Sequence, residues 1–406
     1  MTLTRRAALG AAAAAVPVVL RRARAQPDAI PLGALYPLSG ALALLGDESF
    51  RGLELAVDDR NAAGGLLGRP VRLAKGDAFD PNQAVGEVRR LMAAEHVAAV
   101  FGTYASPLVF AASQATELAG MPYFELGAIS DPVTERGFKY LFRSCPVASA
   151  FGLLTVDAVN DALAPLWGAD PKSLKLAILH EDALYGSTVS GFQAARCKDL
   201  GLNVVENLPY SAATLDMSSV VQRLRSAGAD VVLHTGYQND VVLFFRQMRQ
   251  VGWKPRMIVG AGGGHSLQDT ANAIGADCEG MLNADFTQFA VNEAAAPGAH
   301  DVGAAYEKRY GTKPRSGHSL ANYTGARLFL DVIQRAGSLD KDKLRAAVLA
   351  TDLPPGATAT GWGAKFDEKG QNTRAKPTLM QWQGGLQVTV LPEAAAVGKL
   401  RPMFGA

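Results

Sequence analysis

Cysteine is scarce in this sequence, which has three cysteines among 406 residues. Cys145, Cys197 and Cys278 stand far apart and lack the short spacing of metal ligands. Three thiols can form one disulfide at most, and three buried free thiols is the favoured arrangement. We therefore expect no metal site built on cysteine.

Short catalytic and nucleotide-binding motifs are also missing. The sequence has neither a G-x-x-x-x-G-K-[ST] phosphate loop nor a G-x-S-x-G nucleophile turn, and Ser106 has no matched base. The glycines of residues 260–264 follow a predicted strand, but their spacing is not that of the dinucleotide fingerprint. His180, His234 and His265 are predicted near strand ends, where a zinc site is conceivable, although no paired carboxylates accompany them. We predict a protein that is not an enzyme and needs no cofactor or metal.

The N-terminus carries the pattern of an export signal. Two arginines at positions 5–6 precede an apolar run over 7–20, which is shorter than the ~20 residues of a membrane-spanning helix. The run leads to an A-x-A site that ends at Ala25, so cleavage is predicted before Gln26. The paired arginines resemble a twin-arginine signal, although Ala8 stands where a large apolar residue is usual, and the general secretory route is the alternative. No cysteine follows the cleavage site, so no lipid anchor is expected.

Net charge and length bound the mature protein. The whole chain has 40 basic and 38 acidic residues, and the predicted signal peptide, residues 1–25, contains five arginines and no acid, which leaves 35 − 38 = −3. A slightly acidic chain does not favour nucleic acid as a partner. About 380 mature residues exceed the ~250–300 at which a single core stops growing, so two lobes are expected.

Short apolar runs alternate with helical patterns along the chain, which is typical of α/β units on parallel sheets. The predicted strands are 30–36, 70–75, 97–102, 121–125, 174–180, 203–206, 230–235, 256–260 and 280–284. The predicted helices are 47–63, 82–95, 107–119, 149–166, 187–200, 216–228, 239–251, 301–310, 318–336 and 340–350. Near the C-terminus, two apolar runs around Gly384-Gly385 predict a β-hairpin.

Five segments, in order along the chain, resemble the type I periplasmic solute-binding proteins of the branched-chain amino acid (leucine/isoleucine/valine-binding) family. The first contains LELAVDDRNAAGGLLGRPVRLAKGDAFDP at 53–81, a helix, a glycine-rich turn and a strand. The others are MPYFELGAISDPVTERGFKYLFRSCP, ILHEDALYGSTVSGF, HTGYQNDVVLFFRQMRQVG and GADCEGML. The resemblance covers most of the mature chain.

This resemblance implies an α/β fold of two Rossmann-like lobes with three crossing strands at the hinge. The expected crossings are near 144–148, 279–285 and 353–361. The expected N-terminal lobe is 26–145 with 283–355, and the C-terminal lobe is 146–282 with 356–406.

A ligand site is expected at the carboxyl ends of the strands, where open α/β sheets bind their ligands. Tyr104, Ala105 and Ser106 follow one strand, with Ser106 predicted as a helix N-cap and Pro107 as the first helical residue. The free N–H groups at 108–109 would then form an anion seat, and the family holds a ligand carboxylate there. An ordinary capped helix is the alternative.

The resemblance assigns three further side chains to the cleft. Tyr185 and Tyr237 match family tyrosines that close over the ligand, with generic surface packing as the alternative. Leu45 matches a side chain that covers the apolar end of the ligand, although core filling would explain it equally well.

Backbone contacts are expected from Gly127, Ala128 and Ile129. In the amino-acid binders a hydroxyl stands in this loop, whereas here the position holds Ile129 and Ser130 follows it.

One departure from the family bears on the ligand. Amino-acid binders place an acid after the strand that corresponds to 256–260, whereas here that position is Gly263 in a run of glycines. A buried ammonium without a counter-charge is costly, so an amino-acid ligand needs another acid, for which Asp285 and Glu125 are the candidates. Without one of them the pocket should prefer a carboxylate that lacks an amine, or a neutral amide.

The sequence therefore predicts a monomeric periplasmic receptor that captures a small carboxylate, amino acid or amide by hinge closure and delivers it to an inner-membrane ABC permease. The alternative is a periplasmic sensor of the same fold that presents its ligand to a signalling receptor.

Overall fold

A computed structural model describes residues 28–404, so the predicted signal peptide and its cleavage site lie outside the described residues. The strands are β1 (Ile30–Tyr36), β2 (Val71–Asp77), β3 (Val100–Gly102), β4 (Tyr123–Glu125), β5 (Leu141–Arg143), β6 (Lys175–Glu181), β7 (Asn203–Tyr210), β8 (Val231–Thr235), β9 (Met257–Gly260), β10 (Leu282–Asp285), β11 (Asp352–Leu353), β12 (Ala364–Lys365), β13 (Thr378–Gln383) and β14 (Leu386–Leu391).

The helices are α1 (Ala43–Ala62), α2 (Pro81–Ala93), α3 (Ser106–Leu118), α4 (Ala148–Ala158), α5 (Ala164–Leu166), α6 (Leu184–Leu200), α7 (Ser218–Ala227), α8 (Gln238–Gln250), α9 (Gln268–Ile274), α10 (Ala299–Tyr310), α11 (His318–Ala336) and α12 (Lys341–Leu349). A π-helical turn, Val159–Leu163, joins α4 to α5. Within the described chain, no helix is both long enough and apolar enough to cross a bilayer.

The strands form one main sheet in each lobe. The first lobe has a five-stranded parallel sheet in the order β2-β1-β3-β4-β5. The second lobe has seven strands in the order β14-β13-β10-β9-β8-β6-β7, with the C-terminal hairpin β13-β14 added antiparallel at one edge. Each sheet reverses its strand order next to its first strand, which opens a crevice at the carboxyl ends.

Local sequence explains where several helices begin and end. The carboxylate of Asp80 accepts the N–H of Gln83 at 2.9 Å, and Pro81 starts α2. Helices α6 and α7 end at Gly201 and Gly228, which have φ of 66° and 69°, left-handed values that glycine adopts without steric cost.

Each lobe has its own apolar core. In the first lobe, α1 and α11 pack together over the sheet, and the rings of Phe124 and Phe329 stack with centroids 4.4 Å apart. In the second lobe, Trp382 on β13 is fully buried and donates from its indole nitrogen to the carbonyl of His265 at 3.0 Å. The cysteines Cys145, Cys197 and Cys278 are all buried and free.

The third crossing between the lobes is displaced from its expected position at 353–361. Ala364 and Phe366 still pack in the core of the first lobe, and Gln371 pairs with the end of β5. The chain reaches the second sheet only at Thr378. The expectation was wrong because the short pair β11-β12 holds this segment on the first lobe.

Two of the expected lobe boundaries therefore need correction. Residues 364–371 lie with the first lobe rather than the second, because Ala364 and Phe366 pack in its core and Gln371 pairs with the end of β5. Residues 283–285 belong with the second lobe, because they complete β10 in its sheet. The first crossing follows β5 directly and leads into α4.

Candidate functional site

A pocket lies between the two lobes. Its lining residues are Tyr104, Ser106, Gly127, Ile129, Phe151, Tyr185, Tyr237, Ala261, Gly262, Gly263, Asp285, Phe286 and His318. Of the predicted site residues, Leu45, Ala105 and Ala128 do not line this pocket. Leu45 lines a smaller adjoining cavity together with Tyr104 and Tyr237, whereas the two alanines are buried in the first lobe.

The start of α3 differs from the prediction by one residue. Ala105 is extended and is the N-cap, so Ser106 is already helical. The N–H groups of Leu108 and Val109 both donate to the carbonyl of Ala105, at 3.1 and 3.2 Å, and are not free to bind an anion. The hydroxyl of Ser106 accepts the N–H of Ser130 at 3.3 Å, which leaves its own hydrogen available to the pocket.

The loop at 126–130 is held by two buried charges. The carboxylate of Glu125 accepts the N–H groups of Gly127 and Ala128 at 2.8 and 2.7 Å, and also that of Thr103 at 2.6 Å. The guanidinium of Arg143 donates to the carbonyls of Ala128 and Ser130, at 3.0 and 2.7 Å. Burial raises the pKa of Glu125 to about 7, against the effect of these N–H donors. Glu125 is therefore a loop-holding residue and not the free counter-charge considered above.

Two tyrosines form an aromatic wall on the second lobe. The rings of Tyr185 and Tyr237 lie 5.4 Å apart at their centroids, and both line the pocket. The hydroxyl of Tyr185 donates to the carbonyl of Ala261 at 2.5 Å. This polar group is thus bonded within its own lobe, so the ring presents mainly its apolar surface to the cleft.

The glycine run after β9 brings the main chain directly to the pocket. Gly262 and Gly263 have φ of 81° and 57°. A Cβ atom at Gly263 would lie 2.5 Å from the carbonyl oxygen of Gly236 and 2.9 Å from the hydroxyl of Tyr185, closer than real contacts allow. The position can therefore carry no acidic side chain without moving the wall of the pocket.

Asp285 is the acidic side chain of the pocket lining. Its carboxylate accepts the N–H of Phe286 at 2.6 Å and the amide of Asn283 at 3.2 Å. Among the residues that the structure describes, no cationic side chain pairs with it. Burial raises the pKa of Asp285 to about 8. Near pH 7 the unliganded carboxyl is therefore mostly protonated, and a cationic group of a ligand would favour its ionised form by supplying the missing counter-charge.

Two of the three histidines considered as zinc ligands, His234 and His265, lie in a hydrogen-bonded chain behind the pocket. His265 and His234 are 3.2 Å apart at their ring nitrogens, and the hydroxyl of Tyr210 joins His234 to Asp240 at 2.9 and 2.6 Å. His180 lies apart from this chain, with its ring nitrogen 2.8 Å from a backbone carbonyl. No group of three potential metal ligands occurs between residues 28 and 404.

Besides Ala261 and Gly262 of the glycine run, the predicted site lacks three bulky pocket residues, Phe151, Phe286 and His318. Each follows a lobe crossing or a long loop, so its position depends on how the lobes meet. Phe151 and Phe286 pack edge to face with centroids 5.8 Å apart and form an apolar end of the pocket. The alternation of strands and helices in the sequence does not predict which side chains come together where the two lobes meet.

The lobes contact each other at the mouth of the pocket. The hydroxyl of Ser130 donates to the carbonyl of Leu184 at 3.1 Å. Arg315 of the first lobe lies 3.0 Å from Asp47 and 3.5 Å from Asp269 on α9 of the second. Its carbonyl also accepts the N–H of Gln268 at 3.0 Å. The cleft is therefore closed.

Comparison with known proteins gives a consistent family match. A family model described as periplasmic binding protein matches residues 29–386. The chain is 51% identical over 373 residues to Leu/Ile/Val-binding protein homolog 8 of Brucella abortus (strain 2308), a match that covers 92% of this chain and 93% of the relative.

Solved structures share the fold at lower identity. The branched-chain amino acid transporter substrate binding protein LivJ of Streptococcus pneumoniae, in complex with isoleucine, matches with a TM-score of 0.77 and 22% identity over 92% of this chain and 100% of its own. A solute binding protein of an ABC transporter from R. palustris, in complex with 4-hydroxybenzoate, matches with a TM-score of 0.77 and 23% identity over 93% and 99%.

Proposed function

Because the chain belongs to the periplasmic binding protein family, we propose that it is the solute receptor of an ABC importer, and that the pocket between its lobes captures a small amino acid or primary amide. The ligand class is inferred from Asp285, a buried carboxyl in the pocket lining with no cationic side chain among its described neighbours. A ligand nitrogen that donates hydrogen bonds would satisfy it.

The two walls of the pocket differ in hydrogen-bonding character. The first lobe offers a donor, the free hydroxyl hydrogen of Ser106, whereas the second lobe offers the acceptor Asp285. A ligand that fits this polarity turns an oxygen toward the first lobe and an N–H group toward the second. An α-amino acid and a primary amide both have this arrangement, and contacts to both lobes are what stabilise closure.

The apolar part of the ligand would lie against Ile129, Phe151 and Phe286. Such a surface accepts an aliphatic or an aromatic group. The fold itself is compatible with both, since its solved neighbours hold isoleucine in one case and 4-hydroxybenzoate in another. An acid without an amine is the less suitable ligand here, because it brings neither an N–H donor to Asp285 nor a positive charge that would favour the ionised carboxylate.

The remaining parts of the proposal concern location and partners. The mature protein is a monomer of the periplasm, produced by cleavage between Ala25 and Gln26. Its closed form docks on an inner-membrane ABC permease, and the receptor itself catalyses no reaction.

A thermal-shift screen with calorimetry would test the ligand class. The probes are L-leucine, L-isoleucine, isobutyramide, isobutyrate and 4-hydroxybenzoate. A ligand at 100 times its dissociation constant stabilises the fold by about 2.7 kcal/mol, which is an easily measured shift. We expect stabilisation by an amino acid or the amide and little by the two amine-free acids. Stabilisation by the acids alone would contradict the role given to Asp285.

A further inference from the structure

His318 is a pocket residue for which the proposed ligand contacts do not account. It is the first residue of α11, it is 4% exposed, and its ring lines the pocket. The ring meets Tyr104 edge to face at 6.1 Å and lies 4.9 Å from the ring of Phe286, centroid to centroid. His318 therefore lies where the first lobe meets the second crossing, next to the residue that follows Asp285.

The contact between Ser316 and the imidazole favours one tautomer of His318. The hydroxyl oxygen of Ser316 accepts the backbone N–H of His318 at 3.1 Å and lies 3.2 Å from its Nδ1. Among the described residues, Nδ1 is the acceptor within reach of the hydroxyl hydrogen, so Ser316 donates to Nδ1. The ring proton is then on Nε2, which has no partner in the described part of the chain.

The ring is also uncharged. Burial beside Tyr104 and Phe286 lowers the pKa of His318 to about 3, so the imidazole stays neutral in a periplasm near pH 7. A neutral imidazole with a free Nε2–H donates one hydrogen bond and adds no positive charge. It can donate this hydrogen bond to a carbonyl oxygen as well as to a carboxylate oxygen.

We infer that His318 is a specificity-determining residue of the binding site, whose Nε2–H donates to an oxygen of the ligand while Asp285 accepts the ligand's N–H. This inference rests on the proposed function and deepens it. The pair would recognise an oxygen and a nitrogen carried close together, as in an amino acid or a primary amide. Amines that lack the oxygen would be rejected, because the buried donor would lose its partner.

The binding test compares each oxygen-containing probe with an amine that lacks its carboxylate or carbonyl oxygen. L-Leucine is compared with 3-methylbutylamine, and isobutyramide with isobutylamine, on the mature full-length protein. The wild type should prefer the oxygen-containing member of each pair. In His318→Phe this preference should fall by roughly 5- to 100-fold, the range for a lost hydrogen bond that leaves a buried group unpaired. His318→Gln, which keeps an N–H donor, should retain part of it.

Two controls separate this inference from general damage and from failure of the proposed function. His300→Gln changes an exposed histidine that pairs with Glu293 and should leave all affinities unchanged. Nitrogen NMR of the labelled imidazoles needs no ligand, and it should find the proton of His318 on Nε2.

A proton on Nδ1, or an unchanged preference in His318→Phe, would overturn the role of His318 even if leucine binds tightly. If none of the four probes binds the wild type, the proposed ligand class fails, and the NMR result still decides the tautomer on which the inference depends.

Discussion

Asp285 is the residue on which ligand selectivity should depend most. Replacing it by asparagine removes the negative charge that Asp285 would carry beside a bound ammonium and keeps the shape of the side chain. Binding of an amino acid should weaken by about 2–4 kcal/mol, because the ammonium loses a buried partner. Binding of a primary amide should weaken by less than about 1 kcal/mol, because the asparagine oxygen still accepts its N–H. Isothermal titration of L-leucine and isobutyramide measures both.

The matched control is Asp58→Asn, which removes a carboxylate paired with Arg309 on the surface of the first lobe. Its affinities should equal those of the wild type. Equal losses for the amide and the amino acid in Asp285→Asn would show that the charge of Asp285 is not what the ligand uses.

At the scale of elements, the loop between β4 and β5 is the part of the first lobe that depends on buried charge. Glu125→Gln replaces an acceptor-only group by one that also carries N–H donors. Several backbone N–H groups, including those of Thr103 and Gly127, would then compete for one oxygen. We expect a loss of about 1–3 kcal/mol in the free energy of unfolding, measured by urea denaturation of the unliganded protein. A variant as stable as the wild type would contradict the loop-holding role.

Ligand affinity offers a second measurement on the same variant. Because Gly127 and Ile129 line the pocket, a loosened loop should weaken both amino-acid and amide binding. This pattern differs from that of Asp285→Asn, in which the amino acid is affected more than the amide.

The success of sequence reasoning also varied by element. The hairpin around Gly384-Gly385 and the helix at 318–336 were located correctly, because turn glycines and helical periodicity are local signals. Strand β5 was missed, because three residues are too few to show a period. The predicted N-cap of α3 is one residue too late. Serine is a favoured N-cap residue, but Ala105 has the extended backbone of the N-cap and Ser106 is already helical.

Positions set by contacts between lobes could not be predicted. His318 reaches the pocket because α11 begins beside the second crossing, far along the chain from the strands that form the rest of the site. The third crossing was misplaced for the same reason, because the packing of Ala364 and Phe366 depends on residues of the first lobe. Contacts between residues far apart in the chain produce no periodic pattern from which they could be predicted.

For the whole molecule, Arg315 links closure to a charge pair between the lobes. Asp269→Asn removes the partner on the second lobe, so the closed form should become less favourable. The pair is partly exposed, so its effect should be about 0.5–1 kcal/mol, a weakening of ligand affinity by roughly 2- to 5-fold. Calorimetry measures the affinity, and small-angle scattering should detect a larger radius of gyration.

Asp277→Asn is the matched control for this experiment. It removes an ion pair with Arg249 that lies within the second lobe. Ligand affinity and radius of gyration should not change. The same loss in both variants would point to a general charge effect rather than to the link between lobes.

Buried ionisable groups also give the unliganded protein a characteristic pH dependence. Burial raises the pKa of Glu125 and Asp240 to about 7 and of Asp285 to about 8, so above pH ~4 the folded state binds more protons at these groups than the unfolded state. Stability should therefore rise by about 2 kcal/mol as pH falls from 8 to 6.5.

Below pH 6.5 four buried histidines, His180, His234, His265 and His318, oppose this trend, because burial lowers the pKa of each. Burial lowers the pKa of His265 to about 4 and of His318 to about 3, so the unfolded state then binds more protons at these groups. Stability should level off toward pH 4.5. Thermal unfolding across this range checks the curve, and Asp285→Asn should be less dependent on pH between 8 and 6.5. A rise in stability from pH 6.5 to 8 would contradict the assignment.

The closed cleft also determines how fast a solute can be taken up. Ser130 is bonded to Leu184 across the cleft, so a receptor in this closed conformation has to open its hinge before a ligand can enter. At high solute concentration the observed association rate should stop rising and approach the opening rate. Stopped-flow fluorescence would show this plateau. At high solute concentration the rate of capture would then be limited by opening of the hinge rather than by diffusion of the solute.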